Sequence, residues 1–185
     1  MLKRTLLTLA AALALVVAGV LALAATRPDT FRVERSLRIH ASPERLHAMI
    51  NDLHSFNTWN PYERKDPALK GSYGPTTVGT GARYGWESRE VGTGSLAILE
   101  TVPASKVTMA LDFVKPFEAH NQAEFTLQPE QDGTRVTWAM HGPVPYLAKV
   151  MHVFINVDRM VGTDFEAGLA NLKTLAEKAV TEKAT

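Results

Sequence analysis

The chain has 185 residues, of which 45% are hydrophobic and 21% charged, a composition that favours one compact domain and excludes a collagen-like or wholly disordered chain. Because the sequence contains no cysteine, it has no disulfides, thiolate nucleophiles or cysteine-ligated metal centres. The formal net charge of +1 lacks the basic surplus of nucleic-acid-binding domains, so no nucleic-acid partner is expected.

The N-terminal segment is a separate unit, because residues 5–26 are uncharged and follow the basic pair Lys3 and Arg4. As a helix this segment would be roughly 33 Å long, enough to cross a hydrocarbon core of about 30 Å. We interpret residues 1–26 as a single-pass membrane anchor that leaves the domain extracytoplasmic, or periplasmic in a Gram-negative bacterium. The alternative is a signal peptide cleaved at Ala22-Leu23-Ala24, which would make the domain secreted.

A linker at residues 27–30 precedes the predicted domain, which we place at residues 31–182. Apolar and polar residues alternate from Phe31 to Ile39, the pattern of a strand with one buried face. The domain therefore begins with a strand.

Two short helical segments follow this strand. Ser42 and Pro43 supply an N-cap and a first-turn proline, and apolar residues then recur at helical spacing to about Asp52. Residues 55–62 are expected to add one more helical turn before Pro61 ends it.

The second half of the chain predicts a sheet and then a long helix. Residues 69–141 consist of short alternating runs divided by Gly, Pro or Asp-Gly, which is typical of an antiparallel sheet. From residue 146 onward the chain is expected to be helical, with an apolar stripe that includes Val157 and Leu172. The predicted sheet and the predicted long helix each have one apolar face, and they bury these faces by packing together. We therefore predict an α+β domain, with the elements in the order strand, two helices, five or six strands, helix.

Six short segments resemble segments of a known family. In chain order they are Arg32-Val33-Glu34-Arg35-Ser36, Trp59-Asn60-Pro61-Tyr62, residues 79–86, residues 92–95, Ile98-Leu99-Glu100 and residues 168–172. Over about residues 30–180 the chain resembles the polyketide cyclase/dehydrase branch of the START-like, or SRPBCC, superfamily. The resemblance implies a helix-grip fold, in which a curved antiparallel sheet wraps around a long C-terminal helix and leaves an elongated apolar cavity. Family members bind lipids, sterols, hormones or polyketides, and some cyclise or dehydrate their substrates.

The candidate ligand-binding residues share an expected place on the inner sheet face, the helix stripe or the aromatic segment before the sheet, and they are Trp59, Tyr62, Tyr84, Trp86, Met109, Phe113, Asn121, Phe125, Met140, Asp164 and Gly168. The aromatic side chains suit an apolar cavity, although the same residue types build ordinary cores.

Three of these candidates have specific alternatives. Asn121 is the one polar residue on an apolar strand face, so its amide contacts a ligand, finds a backbone or water partner, or is turned outward by a bulge. Asp164 faces the cavity mouth or pairs with a basic residue, and Gly168 leaves space for a ligand or permits close packing.

The usual catalytic signatures are absent from the sequence, and catalytic residues cannot be named. His47 and His54 are predicted to lie on the surface of a helix, and His120 on the polar face of a strand. There is no HExxH, no GxSxG and no phosphate-binding loop, so neither a metal nor a cofactor is expected.

The leading hypothesis is a membrane-tethered protein that binds a small hydrophobic or amphipathic, lipid-like or polyketide-like ligand between sheet and helix. The first alternative is a cyclase or dehydratase in which Tyr84, Asn121 or Asp164 orients an enolate or donates a proton. The second is an envelope module that binds protein through the polar strand face at residues 118–128.

Overall fold

The computed structural model describes residues 2–181, with side chains described from residue 3 to residue 178. The predicted domain end at residue 182 and the first residue of the predicted anchor lie outside this range. The elements are α1 (Leu2–Ala25), β1 (Thr30–Ile39), α2 (Pro43–Asn51), α3 (Leu53–Trp59), a 3₁₀ turn (Pro61–Arg64), β2 (Lys70–Tyr73), β3 (Arg83–Glu87), β4 (Thr93–Val102), β5 (Lys106–Lys115), β6 (Ala119–Glu130), β7 (Gly133–Pro143), α4 (Tyr146–His152) and α5 (Val157–Thr181).

The strands form one seven-stranded antiparallel sheet in the order β1-β7-β6-β5-β4-β3-β2. The register aligns the apolar faces of neighbouring strands, as Val33 pairs with Met140, Met140 with Ala123, and Ala123 with Met109. These residues are buried on the concave face, which we call the inner face. The predicted α+β helix-grip fold is confirmed, with six strands after the two short helices.

The sheet has two ends that differ in what covers them. At one end of the sheet β1 begins, β7 ends and the β5–β6 hairpin turns, as shown by the pairing of Thr30 with Pro143 and of Phe113 with Ala119. We call this the lower end. The opposite, upper end lies beside α2, where His47 bonds the Thr101 hydroxyl at 2.7 Å. Helix α2 therefore covers the inner face at the upper end.

The short helices begin at the residues that the sequence predicts. Ser42 caps α2 by accepting a hydrogen bond from the backbone N–H of Arg45, and Asp52 caps α3 by accepting one from His54. Both helices turn apolar side chains, among them Leu46 and Phe56, into the core.

Helix α5 packs lengthwise along β1, with its N-terminal half toward the lower end. Arg35 on β1 bonds Asp158 and Glu166 of α5, while nearer the upper end the Lys173 amine donates to the Arg38 carbonyl. Phe165, Leu169 and Leu172 are buried against the sheet, so α5 is the helix held by the curved sheet.

The chain between sheet and α5 is not one continuous helix. Helix α4 ends at His152, and Asn156 then starts α5 by accepting a hydrogen bond from the backbone N–H of Arg159. A new N-cap marks a new helix, because the cap residue is not itself helical. The expectation of uninterrupted helix after the sheet is corrected at residues 153–156.

Helix α1 extends away from the domain. The most apolar 18-residue window of the helix Lys3–Ala25 has a mean hydropathy of 2.7, which by length and composition suits a membrane span and equally an N-terminal signal sequence. The last turns of α1 meet α4, where the Tyr146 hydroxyl donates to the Leu21 carbonyl at 2.8 Å. Lys149 of α4 also forms an ion pair with Asp29, just before β1.

Candidate functional site

An aromatic cluster fills the upper half of the space between the inner face of the sheet and α5. Trp138 stacks on Phe165 with ring centroids 4.1 Å apart and lies 4.9 Å from Phe125 and 5.9 Å from Trp59. Trp59 also donates its indole N–H to the Met49 carbonyl at 3.1 Å. This cluster is the centre of the hydrophobic core.

Four predicted ligand contacts belong to this filled half. Trp59, Met109 and Phe125 have no accessible surface, so they border neither bulk water nor an internal void large enough for a water molecule. A Cβ atom on Gly168 would lie 2.6 Å from Cζ3 of Trp138, which shows that this glycine permits close packing of α5. In this structure the four residues serve packing, and their contact with a ligand stays a prediction.

The lower half of the inner face is open by comparison. Trp86, Leu111 and Phe113 project from β3 and β5 and are only partly buried. Trp86 meets Phe113 edge to face at 5.7 Å, and Met140 is 8% exposed on β7. These side chains, together with Asn121, line what we call the recess.

Asn121 is the polar residue of the recess. It pairs with Leu111 across β5 and β6 and therefore faces inward, where it is partly exposed. Its amide makes no hydrogen bond to any residue that the structure describes. The side chain lies over Gly142, where a Cβ atom would come within 2.1 Å of the amide oxygen. The glycine thus leaves room for a polar group with unused hydrogen-bonding capacity.

A second polar group lies between the 3₁₀ turn and α5, one helical turn from Gly168 toward the lower end. The Lys65 amine contacts the Asp164 carboxylate at 2.6 Å, and the Tyr62 phenol bonds the same carboxylate. Burial, and then the charge of Asp164, raises the pKa of Tyr62 well above its usual range. The phenol stays protonated at neutral pH, and the predicted residue Asp164 is paired with a lysine.

Tyr84 has a comparable partner in the same turn. Its hydroxyl donates to the Glu63 carboxylate at 2.7 Å, and burial followed by this hydrogen bond raises the pKa of Tyr84. The Tyr84 hydroxyl, like the Tyr62 phenol, is therefore a protonated donor to a carboxylate at neutral pH. We note Glu63, Lys65 and Leu111 as site residues that sequence reasoning missed, although Leu111 continues the alternation of Met109 and Phe113.

The histidines do not converge on a site. In the described part of the chain no group of three or more His, Asp or Glu residues could hold a metal ion. His47 is partly buried, which corrects its predicted surface position, and this burial lowers its pKa. His54 and His120 are exposed, and His120 bonds Asp112 on the convex face at 2.7 Å.

Three open depressions lie on the described surface of the domain. One of about 390 Å³ lies beside Lys65, Asp164 and Met160, and one of about 710 Å³ lies beside Phe31 and Gly142 at the lower end. A third, of about 240 Å³, includes Ser95 and Asp112. Space for a ligand is therefore found at the lower end and at the surface, beyond the aromatic cluster.

Several solved structures share this fold at low sequence identity. Protein CV1439 from Chromobacterium violaceum matches with a TM-score of 0.57 and 16% identity, covering 82% of this chain and 99% of that protein. Ms6760 from Mycobacterium smegmatis matches with a TM-score of 0.57 and 14% identity, covering 80% and 92%. The di-domain aromatase/cyclase StfQ from the steffimycin biosynthetic pathway matches with a TM-score of 0.60 and 9% identity, covering 82% of this chain and 52% of that protein.

No curated protein matches the chain. The family model described as polyketide cyclase / dehydrase and lipid transport matches residues 30–177, which include every strand of the sheet and most of α5. The resemblance found in the sequence is confirmed, and the chain belongs to this family.

Proposed function

We propose that this protein is a membrane-tethered binder of a small amphipathic molecule, held in the recess at the lower end of the inner face. The observation that carries the proposal is the amide of Asn121, which has no hydrogen-bond partner among the described residues and lies on the same sheet face as Trp86, Leu111, Phe113 and Met140. Apolar walls with one or two placed polar groups are typical of small-molecule sites.

The composition of the recess indicates the chemistry of its ligand. Aromatic and aliphatic side chains favour an apolar body, which gains about 25 cal/mol for each Å² removed from water. The amide of Asn121 both donates and accepts, so it suits a carbonyl or hydroxyl group on that body. The carboxylate of Asp164 on α5 is already paired with Lys65, so we expect no strong preference for a charged ligand.

The tether follows from α1. Helix α1 has 24 residues, and none of the residues in its most apolar stretch is buried against the domain. These side chains therefore need another apolar environment. We infer that α1 crosses a bilayer and holds the domain at its surface, with the domain extracytoplasmic as the sequence suggests.

Native mass spectrometry of the full chain, purified in detergent, tests the binding function. We expect a reproducible bound mass of an amphipathic compound, reduced at least tenfold by Leu111→Trp, which fills the recess. Leu99→Trp is the matched control, because Leu99 is 50% exposed and lies outside the recess. An unliganded wild type after incubation with total membrane lipid extract, or equal loss in both variants, would overturn the proposal.

A cyclase or dehydratase activity is the second candidate, supported by the bonded pair Tyr62 and Asp164. An aldol cyclisation needs a base that removes a proton from a carbon between two carbonyls, and an acid that protonates the attacked carbonyl oxygen before water leaves. Asp164 is the candidate base and Tyr62 the candidate acid. A β-polyketone thioester should yield a cyclised, dehydrated product with the wild type and none with Asp164→Asn. Equal product with that variant contradicts the enzyme assignment.

A further inference from the structure

At the lower end of the domain, large apolar side chains in the described part of the chain project into solvent, and we group six of them: Val114, Phe117, Leu147, Phe154, Ile155 and Met160. We call them the apolar rim. Each is between 43% and 73% exposed. They come from the β5–β6 hairpin, from α4, from the loop after α4 and from the first turn of α5. Clustered apolar surface of this kind marks a site of interaction with a membrane or a partner.

The position of α1 identifies what covers the rim. The Tyr146 hydroxyl at the start of α4 donates to the carbonyl of Leu21, only four residues before α1 ends at Ala25. At 1.5 Å per residue, α4 therefore meets α1 within about 6 Å of its C-terminal end. If α1 spans a bilayer, this level is the membrane–water interface, where tyrosine is enriched.

The contact between α4 and the C-terminal end of α1 does not depend on Tyr146 alone. Lys149, a buried residue of α4, pairs with Asp29 in the segment that joins α1 to β1. Two polar contacts thus hold α4 beside the emerging chain, and the exposed side chains of α4 lie at the same level.

We propose that the apolar rim inserts into the same bilayer that α1 crosses, so that the recess opens against the lipid surface. The occupant of the rim is the acyl and headgroup boundary of that bilayer, because α4, which carries Leu147 of the rim, contacts the last turns of α1. The recess opens at this same end, as Phe113 and Asn121 lie close to the β5–β6 hairpin that carries Val114 and Phe117. A ligand then passes between leaflet and recess without crossing water.

The ligand route rests on the proposed binding function, whereas docking of the rim rests on the exposed side chains and on the proposed membrane span of α1. The two are tested separately. Docking is measured with no ligand present, and transfer is measured afterwards with a lipid probe.

The absence of cysteine makes the docking test direct, since a single introduced cysteine can be labelled. The full chain carrying Phe154→Cys or Phe117→Cys is labelled with the fluorophore NBD and placed, one copy per disc, in phosphatidylcholine nanodiscs. Val102→Cys is the matched control, because Val102 is 41% exposed at the upper end of the sheet. We expect blue-shifted emission at positions 154 and 117 and at least twofold quenching by doxyl-labelled lipid, with neither effect at position 102.

Three outcomes would overturn docking: water-like emission at positions 154 and 117, equal quenching at position 102, or a blue shift that needs two copies per disc and is not quenched by lipid. The last would assign the rim to a second copy of the chain. The transfer test uses NBD-labelled fatty acid and the double variant Leu147→Ser, Phe154→Ser. We expect uptake from vesicles to slow at least fivefold with unchanged equilibrium binding, and equal uptake rates would refute the lipid route while leaving the binding function intact.

Discussion

Replacing Gly168 by alanine changes the free energy of unfolding, and the sign of this change depends on how tightly α5 packs against the sheet. The added Cβ atom would lie 2.6 Å from Cζ3 of Trp138 and 3.0 Å from Cδ of Pro61, both inside normal contact distance. Trp138 has little freedom to move, because it stacks on Phe165 at 4.1 Å. Overpacking of this kind costs typically about 1–3 kcal/mol, whereas alanine gains about 1 kcal/mol of helix propensity over glycine. We therefore expect Gly168→Ala to lower the free energy of unfolding by about 1 kcal/mol.

Urea unfolding of the full chain in detergent, followed by circular dichroism, measures this change as a lower midpoint concentration. Ala167→Gly on the exposed face of α5 calibrates the propensity gain at a site without packing. In a Trp138→Phe background the closer of the two contacts is removed, so Gly168→Ala should then be less destabilising. A stabilising Gly168→Ala in the wild-type background would show that the upper half of the grip is loosely packed and would refute the reasoning.

Two further expectations concern stability and pH. Thr134 is fully buried and donates to the Ala41 carbonyl at 2.8 Å, so Thr134→Val should lower the unfolding free energy by about 1–3 kcal/mol in the same assay; no change would mean that this hydrogen bond contributes nothing. NMR titration should give His120 a pKa above 6.5, chiefly because it bonds Asp112, and Asp112→Asn should lower that pKa. Since the folded pKa is raised, the pair contributes stability below pH 6.5 and loses it as the pH rises through the folded value; an unshifted His120 pKa contradicts the contact.

Local sequence signals predicted the elements of this fold well. Ser42 and Pro43 mark the start of α2, and the alternation from Phe31 to Ile39 marks β1, because caps and strand periodicity act within a few residues. The break between α4 and α5 was missed. Its signal is Asn156, a good N-cap residue inside an otherwise helical pattern.

The candidate site was harder to predict, because its contacts join residues that are far apart in sequence. Lys65 and Asp164 are separated by 99 residues, and only the packing of α5 against the 3₁₀ turn brings them together. Side-chain periodicity placed Phe113 and Phe125 on the same inner face of the sheet. Periodicity could not show that Phe125 is buried in the aromatic cluster while Phe113 borders the recess. This difference in burial depends on where α5 packs across the sheet.

Photo-crosslinking tests most directly whether the recess holds an apolar guest. The full chain in phosphatidylcholine nanodiscs is irradiated with a diazirine-bearing fatty acid, and the modified residues are identified by mass spectrometry. We predict saturable labelling of Leu111, Phe113 and Met140 that unlabelled fatty acid suppresses and that Leu111→Trp abolishes at the remaining two positions. Labelling confined to α1 and the apolar rim, or recess labelling that a hundredfold excess of competitor leaves unchanged, would contradict ligand binding in the grip.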